Sequence, residues 1–129
     1  MRRFTLVLAL LVVMLAPASA SAAPSSCSLT ISPTSGAATD AYRFAVSDVP
    51  VSANGGSVEV RIDIRRLGTR EGSIIFAFLI PGVTEFFVDY NVAPPGEPAE
   101  VLAPGRYLVD VSTPHIHGAC RAVGQFVVG

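Results

Sequence analysis

Two histidines stand two residues apart in Pro114-His115-Ile116-His117-Gly118-Ala119-Cys120. Residues i and i+2 of an extended segment point to the same side, so His115 and His117 can offer one metal ion two imidazoles about 7 Å apart. Two ligands fall short of the three or four that zinc takes, and no third His exists, so a carboxylate such as Asp89 or Asp110 would have to converge by folding. The closing loop also lacks the axial Met usual in a blue-copper site, because Met1 and Met14 are the only methionines. The remaining nucleophiles and acids are sparse. There is no Lys and no Trp, no Gly-x-Ser-x-Gly elbow, no phosphate-binding glycine loop and no His-Glu-x-x-His pair. Glu59, Asp63, Asp89 and Asp110 alternate with apolar residues, as carboxylates on a solvated strand face do. No catalysis and no cofactor are expected.

Cys27 and Cys120 form the other reactive pair. Their reading depends on the compartment, which the first 23 residues address. Arg2 and Arg3 precede an apolar run from Phe4 to Ala16, and small residues surround Ala18-Ser19-Ala20, which is the layout of a secretory signal cleaved near Ala20. The apolar run is too short for a span of roughly 20 residues, so no stable membrane anchor is expected after cleavage. In an oxidising compartment an even count of two is most simply one disulfide. The alternative is a reactive or metal-binding thiol, for which no Cys-x-x-Cys spacing speaks.

Without residues 1–23 the apolar share falls to about 45%, ordinary for a globular domain, and the net charge moves from -1 to -3 as Arg2 and Arg3 leave. A mildly acidic domain of this kind has no electrostatic footprint for nucleic acid. Residues 24–129 suffice for one core and one domain. Residues 21–26 read as the linker.

Strand signals fill that domain. Apolar residues alternate at Leu29 and Ile31, at Tyr42, Phe44 and Val46, and most clearly at Val58, Val60, Ile62 and Ile64, with Glu59, Arg61, Asp63 and Arg65 between them. Ile74–Ile80 is apolar throughout. Alternation returns from Phe86 to Val92 and from Arg106 to Ser112, and a last strand lies near 122–128. Seven strands are predicted, separated by Pro and Gly turns such as Pro81-Gly82, Pro94-Pro95-Gly96 and Pro104-Gly105. Short strands with turn signals every 8 to 15 residues predict an all-β domain whose sheets cover one another.

Leu102-Ala103-Pro104-Gly105-Arg106-Tyr107-Leu108-Val109-Asp110-Val111 resembles the approach to the penultimate strand of immunoglobulin-like and fibronectin-type-III-like domains of exported bacterial proteins, and Leu29-Thr30-Ile31-Ser32-Pro33 resembles their first strand. The resemblance implies a two-sheet antiparallel immunoglobulin-like sandwich in which the Tyr107 hydroxyl anchors its corner on nearby backbone. It leaves function open.

The expected role is a non-catalytic binding or structural module of a bacterial envelope or secretome, secreted or periplasmic. Its surface is sought on Ile74-Ile75-Phe76-Ala77-Phe78-Leu79-Ile80, because a strand apolar on both faces either is covered twice or presents a row for a partner. Phe76, Phe78 and Ile80 are the residues assigned to contact with a protein partner or to self-association. The alternative role is a zinc- or copper-binding exported protein working through His115 and His117.

Overall fold

The computed structural model describes residues 27–114 and 120–129, and every described strand belongs to one of two sheets packed face to face. In chain order the strands are β1 (Ser28–Ser32), β2 (Ser35–Gly36), β3 (Tyr42–Ser47), β4 (Val58–Arg66), β5 (Gly72–Leu79), β6 (Phe86–Tyr90), β7 (Gly105–Ser112) and β8 (Arg121–Val128). One sheet has the order β1-β3-β6 and the other β2-β8-β7-β4-β5. The described part of the chain is thus all-β, as its alternation required, and contains no helix long and apolar enough to cross a membrane.

The inner face of each sheet is the apolar half of an alternating strand. Val58, Val60, Ile62 and Ile64 of β4 are buried while Glu59, Arg61, Asp63 and Arg65 turn outward. Tyr107, Val109 and Val111 of β7 join them, and Tyr42, Phe44 and Val46 of β3 close the core from the facing sheet. Phe126 of β8 is its aromatic centre, with ring centroids 4.4 Å from Tyr42, 4.9 Å from Tyr107 and 5.8 Å from Phe44. Removing one such ring from a close-packed interior costs about 3 to 5 kcal/mol.

Eight strands stand where alternation predicts seven. The addition, β2, follows Pro33, which lacks the N–H that would continue the β1 ladder. Its two residues pair with β8 in parallel, Ser35 with Val127 and Gly36 with Val128, so the second sheet is not wholly antiparallel. A two-residue strand has no period to read. Its position comes from the Val127 and Gly129 amides, which donate to the carbonyls of Thr34 and Gly36 at 2.9 Å each.

Cys27 and Cys120 are joined in a disulfide, with Cα atoms 5.1 Å apart across a sequence separation of 93. Each cysteine immediately precedes its strand, β1 or β8, so the bond staples one sheet to the other. Next to it the buried Thr113 hydroxyl accepts from the Cys120 amide at 3.0 Å. Gly124 leaves room for the facing sheet: a Cβ there would meet Ile31 Cδ1 at 2.9 Å and Leu29 Cδ2 at 3.2 Å.

Candidate functional site

β5 is an edge strand, hydrogen-bonded to β4 and to no further strand among the described residues. That placement resolves its unbroken apolar sequence. Ile75, Ala77 and Leu79 face inward and pack on the core, while Ile74, Phe76, Phe78 and the following Ile80 face solvent. Phe76 is 51% exposed, Phe78 71% and Ile80 69%. All three residues assigned to a partner from the sequence therefore lie on one open row, with Ile74 extending it. β4 fixes this strand in place through an eight-residue register, in which Ile74 pairs with Asp63, Phe76 with Arg61 and Phe78 with Glu59. At its start Gly72 is required by space: a Cβ would come within 2.8 Å of the Ile64 carbonyl oxygen.

The outer face beside this row is polar and largely self-paired. Arg61 donates to Asp63 at 3.2 Å on its own strand, and Arg121 on β8 grips Asp110 on β7 at 2.9 Å. In the hairpin joining β4 to β5, Arg66 donates to Glu71 at 2.9 Å and to the Pro104 carbonyl at 3.3 Å. Of Arg61, Arg65, Arg66 and Arg70, two are thereby neutralised. Arg65 and Arg70 have no carboxylate partner among the described residues and line a shallow depression of about 470 Å³ with Asp63, Leu108 and Asp110.

The outer face of the three-stranded sheet handles its aromatic residue differently. Arg43 on β3 donates two bonds to Asp89 on β6, at 2.8 and 3.0 Å, and lays its guanidinium 4.0 Å over the Phe87 ring. The hydrogen bonds from Arg43 hold the Asp89 carboxyl below its ordinary range and raise Arg43 in return. This cluster escaped sequence reasoning because its members are 46 residues apart. The adjacency of Phe86 and Phe87 was visible, but not the cation that covers one of them.

The corner expected at Tyr107 is present: its hydroxyl donates to the Ala103 carbonyl at 2.7 Å. Burial pushes the Tyr107 phenol up, and burial with the nearby Asp40 does the same to Tyr42, whose hydroxyl donates to the Ala37 carbonyl at 2.9 Å. Asn91 ties the loops of the same end together, donating to the carbonyls of Asp40 at 3.1 Å and Glu100 at 3.0 Å. His115 and His117 lie outside the described residues. The described residues gather no group of three or more His, Cys, Asp or Glu able to hold a metal ion.

No protein-family model matches the chain, and no curated protein matches it. Among solved structures it is similar to the superoxide reductase (neelaredoxin) of Ignicoccus hospitalis, with a TM-score of 0.55 at 12% identity over 81% of each chain. A second structure of that reductase gives a TM-score of 0.55 at 14% identity, covering 84% of this chain and 83% of the other. At such identities the likeness shows the fold alone.

Proposed function

We propose that this chain is an exported, non-catalytic binding or structural module of the bacterial envelope or secretome, built on an immunoglobulin-like sandwich and working through the open row of β5. The observation that carries the reading is the row itself: Ile74, Phe76, Phe78 and Ile80 expose contiguous apolar surface on an edge strand. Scattered exposed apolar residues need no explanation, whereas a contiguous patch marks a surface that something covers. The leader-like residues 1–23 and the Cys27–Cys120 disulfide support export. The Tyr107 corner and the two facing sheets support the immunoglobulin-like architecture. The activity in the name of the similar reductase is not carried over, since fold does not determine function.

The test is photo-crosslinking in a bacterium producing the full chain, with benzoyl-phenylalanine replacing Phe78 in one strain and Gln125, on the same outer face, in another. A covalent protein adduct at position 78 and none at 125 is expected. No adduct at 78, or equal labelling at both, overturns the binding surface. Cell fractionation tests the rest: the mature chain, cleaved near Ala20, is expected in the periplasm or medium, and an uncleaved cytoplasmic chain overturns export.

A further inference from the structure

We propose that the occupant of the β5 edge is a second copy of this chain, the two five-stranded sheets joining by antiparallel β5–β5 pairing across a two-fold axis at Phe76. This inference rests on the binding reading above and names its partner. The backbone supplies the first argument. The Arg66 amide donates to the Glu71 carbonyl at 3.1 Å, so Arg66 and Glu71 form a hydrogen-bonded pair at the hairpin. Antiparallel alternation then turns the backbone groups of Ser73, Ile75 and Ala77 toward β4 and those of Ile74, Phe76 and Phe78 toward the open edge. These last three are the residues whose side chains stand exposed. A strand added here would pair with their N–H and C=O groups and set its own side chains beside theirs on the outer face.

The sequence of the strand supplies the second argument. With Phe76 on the axis, Phe76 lies opposite Phe76 of the second copy and Ile74 opposite its Phe78, aromatic and aliphatic pairs of the kind that stabilise neighbouring strands. From Ser73 to Ile80 the chain carries no charge and no proline. Self-pairing therefore brings no like charges together, and the devices that normally keep edges apart, a Lys, a Pro or an inward charge, are absent. The exposed row amounts to on the order of 500 Å² per copy, and edge pairing screens its flanks while leaving its outer face open, so the interface lies below about 1,000 Å², the size of weak, reversible contacts. The outcome is a reversible, concentration-dependent dimer. The three other sheet ends differ: β2 has two residues, β1 exposes only Ser28, Thr30 and Ser32 and is followed by Pro33, and β6 carries the Arg43–Asp89 pair.

Sedimentation velocity of the disulfide-bonded protein purified from the periplasm of a producing bacterium tests the proposal. A shift from one copy to two is expected as concentration rises through the micromolar range. Phe76→Glu, which sets two carboxylates against each other across the axis, should abolish it without moving the thermal midpoint. The register is read with single cysteines and a cross-linker that spans a strand pair, about 5.5 Å, but not four residues of strand, about 14 Å. Phe76→Cys alone should cross-link, Ile74→Cys alone should not, and a mixture of Ile74→Cys with Phe78→Cys should. A single copy at every concentration overturns the dimer, and efficient cross-linking of Ile74→Cys alone overturns the axis. A monomer whose position 78 labels a different protein in cells overturns the second copy while leaving the binding reading intact; a monomer that labels nothing overturns both.

Discussion

Both sheets end on an edge strand with exposed phenylalanine, β6 with Phe87 at 58% and β5 with Phe78 at 71%, yet only one of them is screened. At β6 the neighbouring strand contributes Arg43, whose guanidinium covers Phe87 and is locked there by Asp89. At β5 the neighbouring strand also contributes an arginine, Arg61 opposite Phe76, but that side chain is engaged by Asp63 on its own strand. No cation lies over Phe76 or Phe78 among the described residues. Aromatic content alone does not make a sticky edge. What decides it is whether the adjacent strand has a charge to spare, and the contrast suggests that β6 is an edge kept apart and β5 an edge kept open.

The largest expected effect concerns the support common to both edges. Replacing Cys27 and Cys120 together by Ala releases the staple between the sheets, and closing a loop of this length restricts the unfolded chain by about 4 to 5 kcal/mol in the chain-entropy model. Denaturant unfolding of the double variant should show a loss of that size. An unchanged midpoint would mean that the sheets hold each other without the bond. Next comes the contrast between buried and exposed rings. Phe126→Ala should cost about 3 to 5 kcal/mol, whereas Phe78→Ala should stay within about 0.5 kcal/mol in a dilute sample, where no partner covers it. A large loss from Phe78→Ala at dilution would show that the ring already packs within its own chain.

Alkaline unfolding separates the core from both edges. Burial raises the phenols of Tyr42 and Tyr107 above their ordinary value of 10.0, so above that pH the unfolded chain loses protons that the folded chain retains. Their contribution is fully present below pH 10.0 and is lost as pH rises through the raised values. The thermal midpoint should therefore fall above pH 10 in the parent and fall less steeply in Tyr107→Phe. Equal slopes would contradict it. The smallest expected effect sharpens the comparison itself: Arg43→Ser should barely move the thermal midpoint, since exposed pairs contribute little, but should bare Phe87 and let β6 associate as β5 does. Sedimentation would detect that gain, and its absence would mean that Arg43 is not the screen.

The sequence made some of this legible and left the rest to the tertiary fold. Val58 to Ile64 announced a strand and its buried face because one side of it meets the core and the other meets water. The Tyr107 corner and the Cys27–Cys120 bridge were readable because each depends on local motif or on counting. Ile74–Ile80 gave a strand but not its orientation, since a run apolar on both faces fits a covered centre as well as an open edge, and only the order β7-β4-β5 decides between them. β2 was invisible because two residues carry no pattern, and the Arg43–Phe87–Asp89 cluster because the β3–β6 register creates it. Whether Arg65 and Arg70 meet a carboxylate depended on which ones the strands brought near, and no local pattern encodes that.

Backbone amide hydrogen exchange, measured residue by residue as protein concentration rises, tests the central claim most directly. The amides of Ile74, Phe76 and Phe78 point to the open edge, so they should exchange rapidly in a dilute sample and become protected together as the second copy covers them, while the edge amides of β6 remain fast. Protection of those three that does not change with concentration, or that rises equally along β6, would contradict the account.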